Sequence, residues 1–92
     1  MKKYRILING KDFTLKGENK KYGFYTTRYI EGHSEDEATK KALNLIREEL
    51  KDKVVKNPAE NQPEMFVEEI VELESFEDAL VPGTGFTWHP QK

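Results

Sequence analysis

Two histidines are the first candidates for chemistry in this 92-residue sequence, because an imidazole can titrate near neutral pH or bind a metal ion. His33 is followed two positions later by Glu35, a spacing that two ligands of one metal can have. Structural zinc sites use four ligands, commonly cysteines, and the sequence contains no cysteine. We therefore expect no metal site and place His33 in an exposed loop. His89 can join His33 only if the last strand folds back beside the start of the helix.

The adjacent glutamates Glu68 and Glu69 are the next candidates, as an acid–base pair. Neighbouring residues in a regular strand point to opposite faces, so the two carboxylates converge only at a β-bulge. Convergence would raise the pKa of one carboxyl group and make it a general acid. We favour a structural explanation, in which the two glutamates belong to an acidic strand that lies beside the basic N-terminal segment. The sequence also has no nucleophile elbow, P-loop or dinucleotide fingerprint, so we expect no catalytic residues and no cofactor.

The aromatic segment from Tyr22 to Ile30 is the strongest candidate for binding. Alternation along a strand places Tyr25, Thr27 and Tyr29 on one face and Arg28 on the other. A single helix covers only one face of a sheet, so part of the aromatic surface can stay exposed. Such a surface is typical of protein interfaces, but it can also stack single-stranded bases, take a small ligand or complete the fold through cross-strand pairs. The predicted contact residues are Tyr25, Arg28, Tyr29, Glu69 and Trp88.

The charges are unevenly distributed, although the formal net charge is only -2. Residues 1–28 contain eight Lys or Arg residues and two acidic residues, whereas residues 57–91 contain eight acidic residues and no Lys or Arg. A basic segment of this kind can bind a polyanion such as nucleic acid. Nucleic-acid-binding domains usually carry net positive charge, so we favour an internal explanation in which a basic strand pairs with an acidic one.

Hydrophobic alternation predicts three strands and a short fourth one, at residues Lys3–Asn9, Tyr22–Ile30, Met65–Leu73 and Phe86–Trp88. Asn9-Gly10 marks a turn or bulge at the end of the first strand. In the third strand, one glutamate falls on the apolar face in either register. A β-bulge near Glu68 and Glu69 would remove this conflict, because two residues would then oppose one.

One helix is predicted to begin after Ser34. Ser34 and Glu37 form a capping box, and acidic residues fill the first turn. Apolar residues then recur at helical spacing, at Ala38, Ala42, Leu43, Leu45, Ile46, Leu50 and Val54. This stripe is broad enough to cover a sheet, and Asn57-Pro58 ends the helix.

These elements predict one α+β domain over residues 1–92, with three to four mainly antiparallel strands and one long helix packed on one face, in the order β-β-α-β-β. The pattern leaves the order of strands in the sheet open. Between the third strand and the last, we expect one helical turn at residues 75–80 and a turn at residues 82–85.

The composition indicates the class of protein. Charged residues make up 35% of the sequence, but 11% aromatic residues are typical of a folded chain rather than a disordered one. Without cysteine there is no disulfide framework, and no apolar run approaches the roughly 18 residues that span a membrane. The N-terminus also lacks the apolar stretch of a signal peptide. We therefore expect a soluble cytoplasmic protein with no membrane contact.

Four motifs carry a resemblance to known proteins: Gly23-Phe-Tyr-Thr-Thr-Arg28, Ser34-Glu-Asp-Glu-Ala38, Val67-Glu-Glu-Ile70 and Pro82-Gly-Thr-Gly-Phe86. Together they resemble a small bacterial family of proteins of unknown function, over about residues 23–89. The strand-strand-helix opening is also similar in outline to HicB-like antitoxin domains. The glycine-rich central turn and DNA-binding tail of those domains have no counterpart here, so this second resemblance implies shared architecture alone.

The expected function is a non-catalytic protein-interaction or self-association module that binds a protein partner or forms a homodimer. The alternative is a nucleic-acid-binding domain that uses the basic segment 1–28 and the aromatic strand 22–30. An enzyme ranks third, because it needs a pocket that joins one histidine to Glu68 and Glu69.

Overall fold

The computed structural model describes residues 1–17, 20–51, 54–55, 63–76, 81–83 and 85–91. The elements in chain order are β1 (Lys2–Leu15), β2 (Lys21–Gly32), α1 (Glu35–Leu50), β3 (Val54–Val55), β4 (Glu64–Leu73) and β5 (Thr87–Pro90). They form a small antiparallel sheet with one helix, which confirms the predicted α+β class. The predicted order of elements holds in part, because the two-residue strand β3 is added between α1 and β4.

The first strand, β1, lies inside the sheet and has neighbours on both of its edges. β2 pairs with one edge over almost the whole length of β1. The other edge is shared, with β4 paired to Lys3–Lys11 and β3 paired to Thr14 and Leu15. β5 pairs with β2 at Tyr22–Tyr25. Across the main part of the sheet the order is therefore β4-β1-β2-β5, with every pairing antiparallel.

The core lies between α1 and one face of the sheet. Alternate residues of β1 and β2 are buried against small and branched side chains of the helix, and the buried set is Tyr4, Ile6, Ile8, Phe13, Phe24, Ile30, Ala38, Ala42, Ile46 and Leu50. Alanines at two helix positions let the backbone of α1 come close to the sheet. The side chains that alternate with the buried ones lie on the opposite face of the sheet. In the described part of the chain no helix covers that face.

A bulge in β1 lets the strand continue past Gly10 instead of turning back. Two residues, Lys11 and Asp12, oppose Gly23 of β2 at this point. Asp12 takes a left-handed backbone conformation with φ 63°, which aspartate tolerates better than most residues. The side-chain amide of Gln91 holds it there, accepting a hydrogen bond from the Asp12 backbone N–H at 2.6 Å and donating to Asp12 Oδ1 at 3.0 Å.

The predicted bulge in β4 is confirmed. Leu7 pairs with Glu69 and Ile8 pairs with Val67, so Glu68 is the extra residue. The bulge reverses the alternation, and Met65 and Ile70 both pack against the core although they lie five residues apart. Phe66 is thereby placed on the face opposite Ile70.

The helix begins at the predicted position and ends earlier than predicted. Ser34 caps it, with Oγ accepting the backbone N–H of Glu37 at 3.2 Å. α1 ends at Leu50, so the assignment of Val54 to its apolar stripe is wrong. Val54 belongs to β3 and pairs with Leu15 of β1. None of the described helices is long and apolar enough to cross a membrane.

The carboxylate of Glu37 also belongs to the helix cap. It accepts the backbone N–H of His33 at 3.3 Å and forms an ion pair with Lys41 at 3.1 Å. The hydrogen bond with Lys41, followed by that with His33, lowers the pKa of Glu37 from its ordinary 4.5. The stabilisation is therefore complete above that ordinary value and is lost as the pH falls through the lowered one.

The remaining predictions between the elements fall largely outside the described residues. Asn57-Pro58 and most of the expected helical turn at 75–80 lie there, as does Thr84 of the expected turn at 82–85. The short last strand is present as β5 and extends to Pro90.

We predict that Ser34→Ala lowers the free energy of unfolding by about 1 kcal/mol, because the N–H of Glu37 loses its acceptor. Urea unfolding followed by circular dichroism measures the change. Ser34→Asp restores an acceptor at the same position and should return most of the loss. Equal stabilities for Ser34→Ala and the wild type would contradict the assignment of Ser34 as the cap.

Candidate functional site

The sheet face opposite α1, which we name the open face, is not covered by a helix in the described part of the chain, although Phe76 packs on Tyr29 near one end of it. It is formed by alternate residues of four strands: Lys3, Arg5, Leu7 and Asn9 of β1; Tyr25, Thr27, Tyr29 and Glu31 of β2; Glu64, Phe66, Glu69, Val71 and Leu73 of β4; and Thr87 and His89 of β5. A shallow depression of about 270 Å³ lies on it, with Leu7, Tyr25, Thr27 and Thr87 among its lining residues.

Aromatic side chains give the open face its apolar character. Tyr25 and Phe66 are each 42% exposed, on strands that lie on either side of β1. The ammonium group of Lys11 lies 5.3 Å from the centre of the Phe66 ring, a cation–π contact. Exposed aromatic rings on one face of a sheet mark that face as a candidate binding surface.

The charges on the open face are arranged by strand, with cations on β1 and carboxylates on β4. Arg5 donates to Glu69 Oε1 at 2.8 Å, and Asn9 Nδ2 donates to Glu68 Oε1 at 3.0 Å. On the helix side of the same two strands, Lys2 and Glu72 form an ion pair at 3.8 Å. These contacts confirm that the basic N-terminal segment pairs with the acidic strand. The two adjacent glutamates are thus held by different partners, one amide and one guanidinium.

Two of the predicted contact residues, Tyr25 and Glu69, are exposed on the open face, and a third, Tyr29, lies there half-buried. The ring of Tyr29 packs edge-on against Phe76, with centroids 6.2 Å apart. Trp88 lies on the other side of the sheet. It packs against the core beside Phe24 and Phe86, at centroid distances of 5.3 and 5.5 Å.

Arg28 is fully buried between the sheet and α1, so its guanidinium is not exposed to a partner. Its Nη2 pairs with Glu49 Oε2 of the helix at 2.5 Å. Its Nη1 donates to the hydroxyl of Thr26 and to the backbone carbonyl of Thr27, and the ring of Phe86 lies 5.4 Å from the guanidinium carbon. Burial of this side chain requires these partners, since an unpaired guanidinium in the core is strongly unfavourable.

The two histidines lie near opposite ends of β2. His89 pairs with Gly23, whereas His33 follows Gly32, so about 30 Å of strand separates them. The imidazole of His89 lies over Gly23, where a Cβ atom would collide with it, and its ring centre is 5.6 Å from that of Tyr25. The described residues contain no cluster of three or more side chains of metal-ligand type.

An apolar groove of about 520 Å³ is the second candidate surface, on the helix side of the molecule. It runs between α1 and the edge of β2, and its apolar lining includes Tyr29, Ile30, Leu45, Val81 and Pro82. Leu45 is 38% exposed there, which makes it a useful reference for the exposed aromatics of the open face.

Sequence reasoning missed Phe66 as a surface residue. Strict alternation puts Phe66 and Ile70 on one face, because they lie four residues apart in an uninterrupted strand. The predicted bulge at Glu68 was the signal that could have corrected this, since one extra residue between them sends the two side chains to opposite faces.

Comparison with protein-family models, with curated proteins and with solved structures finds no match to this chain. The resemblances seen in the four sequence motifs therefore stay predictions. Function has to be argued from the geometry of the open face.

We predict that Glu49→Ala destabilises the fold more than Arg28→Met does. The first change leaves a fully buried guanidinium without its counter-ion and should cost about 3–5 kcal/mol, whereas the second leaves Glu49 with part of its side chain in solvent. Urea unfolding of both variants measures the difference. Glu48→Ala, which removes an exposed carboxylate one position earlier, is the control and should cost less than about 1 kcal/mol. A smaller loss for Glu49→Ala than for Arg28→Met would show that the pair does not stabilise the core.

Proposed function

We propose that this protein is a non-catalytic interaction module that binds a protein through the open face of its sheet. One observation carries the proposal: α1 covers one face of the sheet, while the other exposes Tyr25 and Phe66 among polar side chains. Aromatic residues surrounded by charged ones are the usual composition of a protein-binding patch. The half-buried Leu7, Val71 and Leu73 extend the apolar part of the patch along the strands, away from the two rings, which lie on either side of Asn9.

The edges of the sheet are less suited to binding than its face. The outer edge of β4 carries Glu64, Glu68, Glu69 and Glu72, and a second acidic strand added there would place like charges opposite one another. Such charges, together with a bulge, are common protection against edge-to-edge pairing. Beyond β5, the edge of β2 is partly occupied, because the backbone N–H of Tyr29 donates to the carbonyl of Pro82 at 2.8 Å.

Nucleic acid is the weaker candidate for the same face. The cations of β1 and the exposed rings could serve a single strand, but the glutamates of β4 share the surface, and Arg5 is already paired with Glu69. Phosphate groups would be repelled by those carboxylates. A protein partner, which can supply both charge signs, matches the face better.

The proposal predicts that Tyr25→Thr combined with Phe66→Thr weakens partner binding about thirtyfold or more. Exposed aromatics at the centre of an interface commonly contribute about 2 kcal/mol, and threonine keeps the strand intact. Tagged wild-type and variant chains are used to capture proteins from the cells that make this chain. Each captured protein is identified by mass spectrometry, and its affinity is then measured with purified components by calorimetry.

Leu45→Gln is the matched control, because it removes a similarly exposed apolar side chain from the helix side of the molecule. Binding should survive this change, and the melting temperatures of both variants should stay within a few degrees of the wild type. Loss of binding in Leu45→Gln alone would assign binding to the groove and overturn the proposal. Tight, salt-sensitive binding of single-stranded oligonucleotides would favour the nucleic-acid function instead.

A further inference from the structure

Asn9 is a buried polar residue on the open face, at the end of the sheet where β5 pairs with β2. It is only 7% exposed, and its cross-strand neighbours are Tyr25 on β2 and Phe66 on β4. The two rings belong to strands that are two spacings apart, about 9–10 Å, and Asn9 lies on the strand between them. We name these three residues the Asn9 site. The site has an aromatic ring on each side and a polar group between the rings.

The carboxamide of Asn9 has one polar atom paired and one unpaired. Nδ2 donates to Glu68 Oε1 at 3.0 Å, and this fixes the orientation of the carboxamide, because a carboxylate only accepts hydrogen bonds. Oδ1 is therefore turned away from Glu68. It is buried and has no hydrogen-bond partner in the described part of the chain. A buried acceptor without a donor is unfavourable and uncommon, so a donor supplied by another molecule would be stabilised at Oδ1.

The surroundings of the Asn9 site favour a cationic donor. The ammonium group of Lys11 lies 5.3 Å from the centre of the Phe66 ring, so a positive charge already occupies this ring. Two exposed carboxylates, those of Glu64 and Glu68, belong to β4 at the same end of the face. They attract a cation and repel an anion. The unpaired acceptor, the ring and the carboxylates thus select the same chemistry.

This end of the open face is also the accessible one. Tyr25 and Phe66 are each 42% exposed, and His89 packs against Tyr25 from the β5 side, with ring centroids 5.6 Å apart. Towards the other end, Phe76 packs on the ring of Tyr29. A partner that uses the exposed rings therefore contacts the Asn9 site.

We propose that the Asn9 site binds an arginine side chain of the protein partner, in place of Lys11. The inference rests on the proposed function, since it names the chemical group with which the partner enters the open face. A guanidinium is planar and carries its N–H groups in that plane, so it stacks on an aromatic ring while it donates to Asn9 Oδ1. Its other N–H groups are available to the carboxylates of β4. The ammonium of a lysine is compact and strongly hydrated, and it has no plane to stack.

Lys11 competes for the site within the chain. Its ammonium lies over Phe66 while Oδ1 of Asn9 is shielded from solvent. The side chains of Lys11 and Phe66 are both exposed, so they can rotate aside without disturbing the core. A site that is partly occupied by its own side chain binds a ligand more weakly than an empty one. Removal of the Lys11 charge should therefore strengthen arginine binding.

Binding is measured by titrating the isotope-labelled full chain with N-acetylarginine amide and recording nuclear magnetic resonance spectra. The dissociation constant for this single side chain should be on the order of 1–10 mM. The Nδ2 resonances of Asn9 and the backbone amides of Tyr25 and Phe66 should shift together. N-acetylcitrulline amide, which has the same shape without the charge, should bind at least about tenfold more weakly.

Two variants test the ring and Lys11 separately. Phe66→Leu keeps an apolar side chain but removes the ring, and should weaken arginine binding about threefold or more. Lys11→Gln should strengthen it about twofold or more, because the competing ammonium is gone. Lys3→Gln is the matched control. It removes the same charge from the same face of β1 about 20 Å away and should leave the affinity unchanged. Circular dichroism verifies that each variant is folded.

Equal binding of the arginine and citrulline probes would overturn the inference, as would shifts confined to residues outside the Asn9 site. An affinity of Lys11→Gln no higher than that of Lys3→Gln would reject the displacement of Lys11. A partner captured through Phe66 that still binds after its interface arginines are changed to glutamine rejects the inference and leaves the proposed function standing. Arginine binding at the site, with no protein whose capture depends on Phe66, supports the site and rejects the proposed function.

Discussion

The pairing of β1 with strands on both of its edges is the constraint on which the rest of the structure depends. β1 joins β2, its neighbour in sequence, to β4, which lies about sixty residues further along the chain. Without the second pairing, the hairpin of β1 and β2 would keep one open edge, and α1 would cover a sheet of two strands and part of a third. Small sheets of this size need the extra strand to bury enough apolar surface.

Electrostatics makes this distant pairing specific. The net charge of -2 conceals an uneven distribution of charge. The first segment contains eight Lys and Arg residues, and the last one contains eight acidic residues. Ion pairs such as Arg5–Glu69 each contribute only about 0.2–1 kcal/mol, because they are half-exposed. Their larger effect is on which strands pair, since an acidic β4 is attracted to basic β1 and repelled by a second β4. The uneven distribution of charge is therefore explained by the pairing of β1 with β4 inside the fold.

Much of the fold could be predicted from local pattern, and the failures have identifiable causes. Alternation and capping are local, so the strands and the start of α1 follow from the sequence. The end of the helix does not, because Val54 continues the apolar stripe and only its pairing with Leu15 shows that it belongs to the sheet. For Arg28, alternation gives the correct face of the sheet but does not show that the side chain is buried. An arginine among alternating residues indicates a solvent-exposed position unless a partner such as Glu49, twenty-one residues away, is known to meet it.

The same limit applies to the candidate site. Tyr25 and Tyr29 are assigned to one face by alternation alone, but Phe66 joins them only through the extra residue in β4. That bulge has two consequences at once. It turns Ile70 and Met65 towards the helix, which completes the core, and it turns Phe66 outward, which completes the exposed patch. A regular β4 would turn Phe66 to the helix side with Ile70 and send Met65 to the open face in its place.

The buried Arg28–Glu49 pair helps to explain why α1 covers only one face of the sheet. It ties β2 to α1 and fixes the helix on its own face, where Phe86 closes over the guanidinium. The helix is thereby held away from the opposite side of the sheet, and no other described element is available to cover Tyr25 and Phe66.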